Sequence, residues 1–175
     1  WDHCVLLGDV LDFDVCSSHN EGKPRLVEGQ RIRDQFDAGN AYLDRLLKAV
    51  RAKNERCAVA YLQGNHEFRL ERYLDKHPEL EGLLEVRTQL RLAERHVQWV
   101  PCWSEGAIHK IGHARFTHGN TTQKYHAAKM ASDYGSCIFY GHSHQIQEHH
   151  LHLLGNNRTI KAKSCGHLAD ERKLR

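Results

Sequence analysis

Apolar residues along this chain come in short runs that stop at glycines. Cys4-Val5-Leu6-Leu7 stops at Gly8, Cys57-Ala58-Val59-Ala60-Tyr61-Leu62 runs out just ahead of Gly64, and Cys137-Ile138-Phe139-Tyr140 stops at Gly141. Such runs are too short for helices and fit strands buried on both faces. Val97-Gln98-Trp99-Val100 reads as another strand. From Glu28 to Asn54 the period lengthens: Ile32, Phe36, Leu43, Leu46, Leu47 and Val50 recur at helical spacing. Gly39-Asn40 is the weak point of that helix, since an interior Gly costs about 1 kcal/mol. Further helices are predicted over Phe68–Lys76 and, beyond Pro78, from Leu80 to Glu94. Residues 14–28 are polar, carry Gly22-Lys23-Pro24, and read as a long loop.

The C-terminal half is richer in strands. Ala107–Lys110 and Ala114–Thr117 resemble a hairpin around Gly112, and Asn120 or Thr121 is placed to cap a helix reaching Asp133. After the Cys137–Tyr140 strand come a strand, a Gly155-Asn156-Asn157 turn, and a strand through Ile160 and Ala162. No repeat or linker interrupts residues 1–175, so the pattern predicts a single α/β domain.

Composition narrows the field. With 40% hydrophobic and 27% charged residues, the 175 residues have an ordinary globular composition and are enough for one domain with a core. No apolar run approaches the roughly 20 residues of a membrane span. A net charge of +3 permits a phosphate-bearing substrate without indicating nucleic acid. None of the six cysteines forms a C-x-x-C pair, which argues against a zinc knuckle. Cys4, Cys57 and Cys137 open apolar runs as small buried hydrophobes, and a reducing cytoplasm is the expected compartment. The opening Trp1-Asp2-His3-Cys4 shows neither Met nor a basic stretch before an apolar one, and reads as an entry into the middle of a domain.

Four patches after apolar runs carry metal-binding side chains: Gly8-Asp9-Val10-Leu11-Asp12, Gly64-Asn65-His66-Glu67, Thr117-His118-Gly119 and Gly141-His142-Ser143-His144. Carboxylate, amide oxygen and imidazole suit divalent first-row metals. A dinuclear site holds its ions about 3.5–4 Å apart and needs a bridging carboxylate, for which Asp9 is the natural choice. His142 and His144 can face one site only if the backbone turns there, and Gly141 permits a turn.

In this order the patches resemble the calcineurin-like metallophosphoesterase superfamily, in particular its small single-domain bacterial and phage members, over residues 4 to about 145. The resemblance implies an α-β-β-α sandwich, two mixed β-sheets packed face to face with flanking helices. It implies two divalent metal ions drawn from Mn, Fe, Zn and Ni, with Mn first. Asp9 would bridge them, Asn65, His118 and His142 would complete the second ion's shell, and His144 would serve the first. His66 would be general acid or electrostatic stabiliser at the leaving group, oriented by Asp12. The reaction implied is hydrolysis of phosphomonoesters or phosphodiesters by in-line attack of a metal-bound hydroxide.

Two departures stand out. The family's first motif, Asp-x-His, does not precede Asp9, so the chain is expected to be N-terminally truncated, lacking a first strand and helix. Phe13-Asp14 follows Asp12 where protein serine/threonine phosphatases have Arg-Gly, which argues against that branch. The alternatives are a metal-binding module with an incomplete first site and little catalysis, and a nuclease acting on DNA or RNA ends.

The remaining features have blander readings. Arg69 and Arg72 are expected on a solvated basic helix face beside Glu71 and Asp75, ahead of a phosphate contact. Glu67 is expected to anchor its loop, and Lys124 to stay off the substrate. At least half of the fifteen histidines, His149, His150 and His152 among them, read as surface residues. His109 and His113 flank the hairpin turn without a nameable partner. Trp1, Trp99 and Trp103 are expected in the core.

Overall fold

The computed structural model describes residues 1–101 and 106–169. The chain is α/β and divides into two compact units, Trp1–Glu105 and Gly106–Arg175.

In the first unit, strands β1 (His3–Leu6), β2 (Ala58–Leu62) and β3 (Val97–Val100) form a sheet in that order. All pairs are parallel, with Cys4 opposite Val59 and Val59 opposite Val97. The sequence predicts mixed sheets. This one is parallel because each connection carries helix, which returns the chain to start the next strand at the same end. Helix α1 (Ile32–Arg51) lies in the first crossover, and α2 (Asn65–Leu74) and α3 (Val86–Gln89) lie in the second. Phe36, Leu43, Leu47 and Val50 of α1 join Val59, Tyr61, Leu70 and Leu90 in the core.

Several expectations change here. β1 is not buried on both faces: only Leu6 is buried, and among the described residues β1 lies at the sheet edge with β2 as its partner. The 14–28 loop contains three 3-10 turns, Asp14–Cys16, Ser18–Asn20 and Pro24–Leu26. The helix predicted over Leu80–Glu94 shrinks to the four residues of α3, and Arg91, in the left-handed region at φ 47°, prevents its extension. Gly39 does not break α1, and it is buried at a close approach to Leu11 and Leu90. A Cβ there would lie 2.5 Å from Leu11 Cδ2 and 3.1 Å from Leu90 Cδ2. Trp1 is 80% exposed rather than core, while Trp99 packs edge-on to Tyr61 at 5.1 Å. Trp103 and Cys102 lie outside the described residues.

The second unit is a five-stranded mixed sheet of order β4-β5-β6-β8-β7. Its strands are β4 (His109–Ile111), β5 (Ala114–Thr117), β6 (Ile138–Tyr140), β7 (Ile146–Leu153) and β8 (Arg158–Cys165). β5, β6 and β8 run parallel, and β4 and β7 flank them as antiparallel hairpin partners. Helix α4 (His126–Tyr134) packs Met130 and Ala131 against Ile138, Tyr140, Ile160 and Ala162. α4 starts later than predicted and without Asn120 or Thr121 as its cap. Its N-cap is Tyr125, and upstream Gly119 is left-handed at φ 95°, where an added Cβ would lie 3.2 Å from the Tyr140 ring. The five described cysteines are free thiols; Cys57 is buried, whereas Cys4 and Cys137 are only half-buried. Among the described residues, no helix is long and apolar enough to cross a membrane.

Candidate functional site

In the first unit the donor residues lie where β1 and β2 end. Glu67, fully buried, organises both loops. Its Oε2 accepts from Asp9 N and Gly64 N, each at 2.9 Å. Its Oε1 accepts from Val10 N at 2.8 Å, Leu11 N at 3.0 Å and the Tyr61 hydroxyl at 2.7 Å. One carboxylate thus satisfies four backbone donors and a phenol, at the N-terminal turn of α2 where the helix dipole favours negative charge. Burial, then the Glu67 charge, pushes the Tyr61 hydroxyl well above its ordinary pKa, so it remains a donor.

The sequence places Asn65, His66 and Glu67 in a loop; the structure places them in the first turn of α2, with Gly64 as N-cap. A Cβ on Gly64 would lie 2.2 Å from Asp9 Oδ1 and 2.5 Å from Asp9 N. Only glycine lets the start of α2 approach Asp9 so closely. Asp9 itself has φ 54°, a left-handed conformation costing an ordinary residue roughly 1–2 kcal/mol. The Glu67 bonds hold it there. Its Oδ1 accepts from His66 N at 3.0 Å, and its Oδ2 lies 3.9 Å from His66 Nε2.

His66 is clamped on both ring nitrogens. Nδ1 is 2.7 Å from Asp12 Oδ1, and Nε2 is 3.0 Å from Arg69 Nη2. A guanidinium only donates, so Nε2 must be the acceptor in this arrangement and Nδ1–H the donor to Asp12. Burial pulls the His66 pKa down, but the Asp12 hydrogen bond and the Asp9 charge outweigh it and leave a net rise. Protonation at Nε2 therefore requires Arg69 to step aside. Asp12 is lowered, chiefly by its hydrogen bond to His66 and further by Arg69.

Arg69 is not on a solvated face. Its Nη1 also donates to Asp12 O at 2.9 Å, Asp12 Oδ1 at 3.0 Å and Asp14 Oδ1 at 2.6 Å. Sequence reading missed this junction and Asp14 with it. The available signal was the spacing of His66 and Arg69, three apart on one helix.

In the second unit, His118 follows β5 and is buried, and its carbonyl accepts from Gly141 N at 3.0 Å. His142 lies just past β6, and its ring sits 5.1 Å from that of His118. The backbone does turn here, though not by means of Gly141. The left-handed residues are His142 (φ 63°) and His144 (φ 57°), with Ser143 N bonded to Gly141 O at 2.8 Å. His144 faces His167, a residue the sequence reading passed over, with ring centroids 5.3 Å apart.

Two imidazoles on one tetrahedral ion, with metal–nitrogen bonds of about 2.0–2.1 Å, have ring centroids roughly 5 Å apart. The His118–His142 spacing fits such a pair. Asp9, His142 and His144 all hold left-handed backbone, the kind of strain that persists where surrounding bonds over-determine it and that concentrates at functional positions.

Arg72 lies 5.7 Å above the Phe68 ring and Lys124 5.3 Å above that of Tyr125. His150 contacts Glu148 at 2.7 Å and His152 contacts Thr159 at 3.2 Å. In comparisons with family models, curated proteins and solved structures, none matched this chain.

Proposed function

We propose that this chain is a metal-dependent phosphoesterase acting on phosphomonoesters or phosphodiesters, of the calcineurin-like metallophosphoesterase kind. The observation that carries the reading is the Asp9–His66–Asp12 constellation. It combines an aspartate whose left-handed backbone is held by the buried Glu67 with an imidazole fixed beside it by a second carboxylate. A carboxylate donor next to an oriented acid–base group is what phosphoryl transfer to water requires. The ordered donor patches of the sequence support it further.

In this reading Asp9, Asn65, His118, His142 and His144 hold two divalent ions, with manganese the first choice. When bound, such ions would activate water and neutralise phosphoryl charge. Asp12 holds the Nδ1 proton of His66 and so fixes the ring, with Nε2 against Arg69. Once Arg69 has exchanged Nε2 for another partner, Nε2 takes a proton from solvent and passes it to the leaving oxygen. Asp14 and Asp12 give Arg69 a resting place. The expected compartment is the cytoplasm.

A second reading is a metal-binding module with little turnover, and it draws on the hold Arg69 keeps on Nε2. Metal analysis paired with hydrolysis of p-nitrophenyl phosphate and bis-p-nitrophenyl phosphate separates the two. The phosphoesterase reading expects Mn²⁺-dependent turnover that Asp9→Asn and His66→Ala abolish. Turnover surviving both substitutions would overturn it, and bound metal without turnover in the native protein would favour the module.

A further inference from the structure

One face of α2 continues beyond the catalytic constellation. His66, Arg69, Arg72 and, just past the helix end, Lys76 recur at spacings of three and four residues, so their side chains follow one stripe. The 3-10 turns of residues 14–20 lie opposite and are tied to this stripe at two points. Arg69 bonds Asp14 at 2.6 Å, and Lys76 bonds Glu21 at 3.1 Å. Between the ties is a cavity of about 300 Å³, walled by Val15, Ser17, Ser18 and Asn20 on one side and by Arg72 and Tyr73 on the other.

The charges in this cavity do not cancel. Glu21 is met by Lys76, and His77 contacts Glu79 at 3.3 Å. Arg72 has the Phe68 ring as its neighbour and no carboxylate partner among the described residues. A guanidinium offers a planar fork of donors that matches phosphate, and the hydroxyls of Ser17 and Ser18 add donors across the gap, while the Asn20 amide donates to Asp14 O at 3.0 Å. The apolar side is supplied by Val15 and the Tyr73 ring.

We propose that this cavity is a subsite for a second phosphate group, carried on the leaving-group side of the substrate and recognised by Arg72. The inference rests on the phosphoesterase reading for its place in the reaction, and on the cavity alone for binding. Arg72 lies six residues beyond His66, about 9 Å along the helix axis, a separation that an extended four-carbon diol bridges between its terminal phosphates. The enzyme is thereby specified for bisphosphorylated compounds over simple monoesters.

The test compares butane-1,4-diol bisphosphate with butane-1,4-diol monophosphate. Calorimetric binding to EDTA-treated protein is measured first, then hydrolysis with Mn²⁺. Charge-assisted hydrogen bonds of the usual strength predict that the bisphosphate binds roughly ten- to a hundredfold more tightly. Arg72→Gln should remove that preference, and Arg72→Lys, which keeps the charge but not the fork, should retain part of it. In turnover, Arg72→Gln should raise KM for the bisphosphate with kcat unchanged. Equal binding of the two probes by the native protein, or a preference that survives Arg72→Gln, overturns the subsite. A preference that depends on Arg72 without any hydrolysis upholds the subsite and removes the phosphoesterase reading instead.

Discussion

Glu67 provides the sharpest structural prediction, because one fully buried carboxylate terminates five hydrogen bonds. Glu67→Ala leaves the N–H groups of Gly64, Asp9, Val10 and Leu11 and the Tyr61 hydroxyl without their acceptor. A hydrogen bond to a charged group contributes about 1.5–3 kcal/mol, and five of them would sum to the whole stability of an ordinary domain. The sum overshoots. The desolvation cost of the carboxylate disappears with it, and water reaches the more exposed donors, so the expected loss is about 3–5 kcal/mol. Glu67→Gln keeps one oxygen for Val10, Leu11 and Tyr61 but turns an amide NH₂ toward Asp9 N and Gly64 N, and should cost about 2–4 kcal/mol. Tyr61→Phe deletes one of five donors and should cost only about 1 kcal/mol. Urea denaturation followed by circular dichroism, with the denaturant slope unchanged, gives all three values. A Glu67→Ala loss under about 1 kcal/mol, or a Glu67→Gln protein as stable as the native one, would refute the organising role assigned to this carboxylate.

Two further predictions concern packing and pH. Gly39→Ala gains about 1 kcal/mol of helix propensity but thrusts a methyl against Leu11 and Leu90, where overpacking costs about 1–3 kcal/mol. A net destabilisation in thermal melts is expected, and a stabilised variant would contradict the close approach. Glu148 is lowered to about 2 by its hydrogen bonds to His150 first and Lys161 next. Because its folded pKa lies below the unfolded one, its contribution is present above the ordinary carboxylate pKa and fades as pH falls from about 4.5 toward about 2. The melting difference between native protein and Glu148→Gln should close over that window, and a constant difference would contradict the assignment.

The parts of the fold readable in sequence were those set by local period. β3 covers the predicted Val97–Val100, and β2 and β6 fall within their apolar runs, because uninterrupted apolar residues identify a buried strand without knowledge of its neighbours. What failed depended on tertiary partners. β1 looks as apolar as β2, yet lies at the sheet edge among the described residues. The Leu80–Glu94 periodicity could not register the left-handed turn at Arg91. α2 begins earlier than read because its cap is glycine; the clue was Glu67, three residues after Gly64, in the position that reaches back to the cap N–H. At the site, both ends of the 2.7 Å Asp12–His66 contact were residues the sequence had singled out. The Arg69 clamp was invisible, since it depends on Asp14 from a segment that reads as loop. Left-handed backbone at Asp9, His142 and His144 is only weakly signalled by residue type, Asp and His entering that region more readily than most, and Gly141 drew attention to the wrong position in the turn.

The central proposal is that Asp9 and His142 serve the same metal ions. The most direct test is a double-mutant cycle on Mn²⁺ affinity, measured by calorimetry on the native protein, Asp9→Asn, His142→Ala and the double variant. Shared ions predict strong coupling, with either single substitution costing nearly as much affinity as both together. Additive losses, or Mn²⁺ binding that neither substitution weakens, would contradict the account.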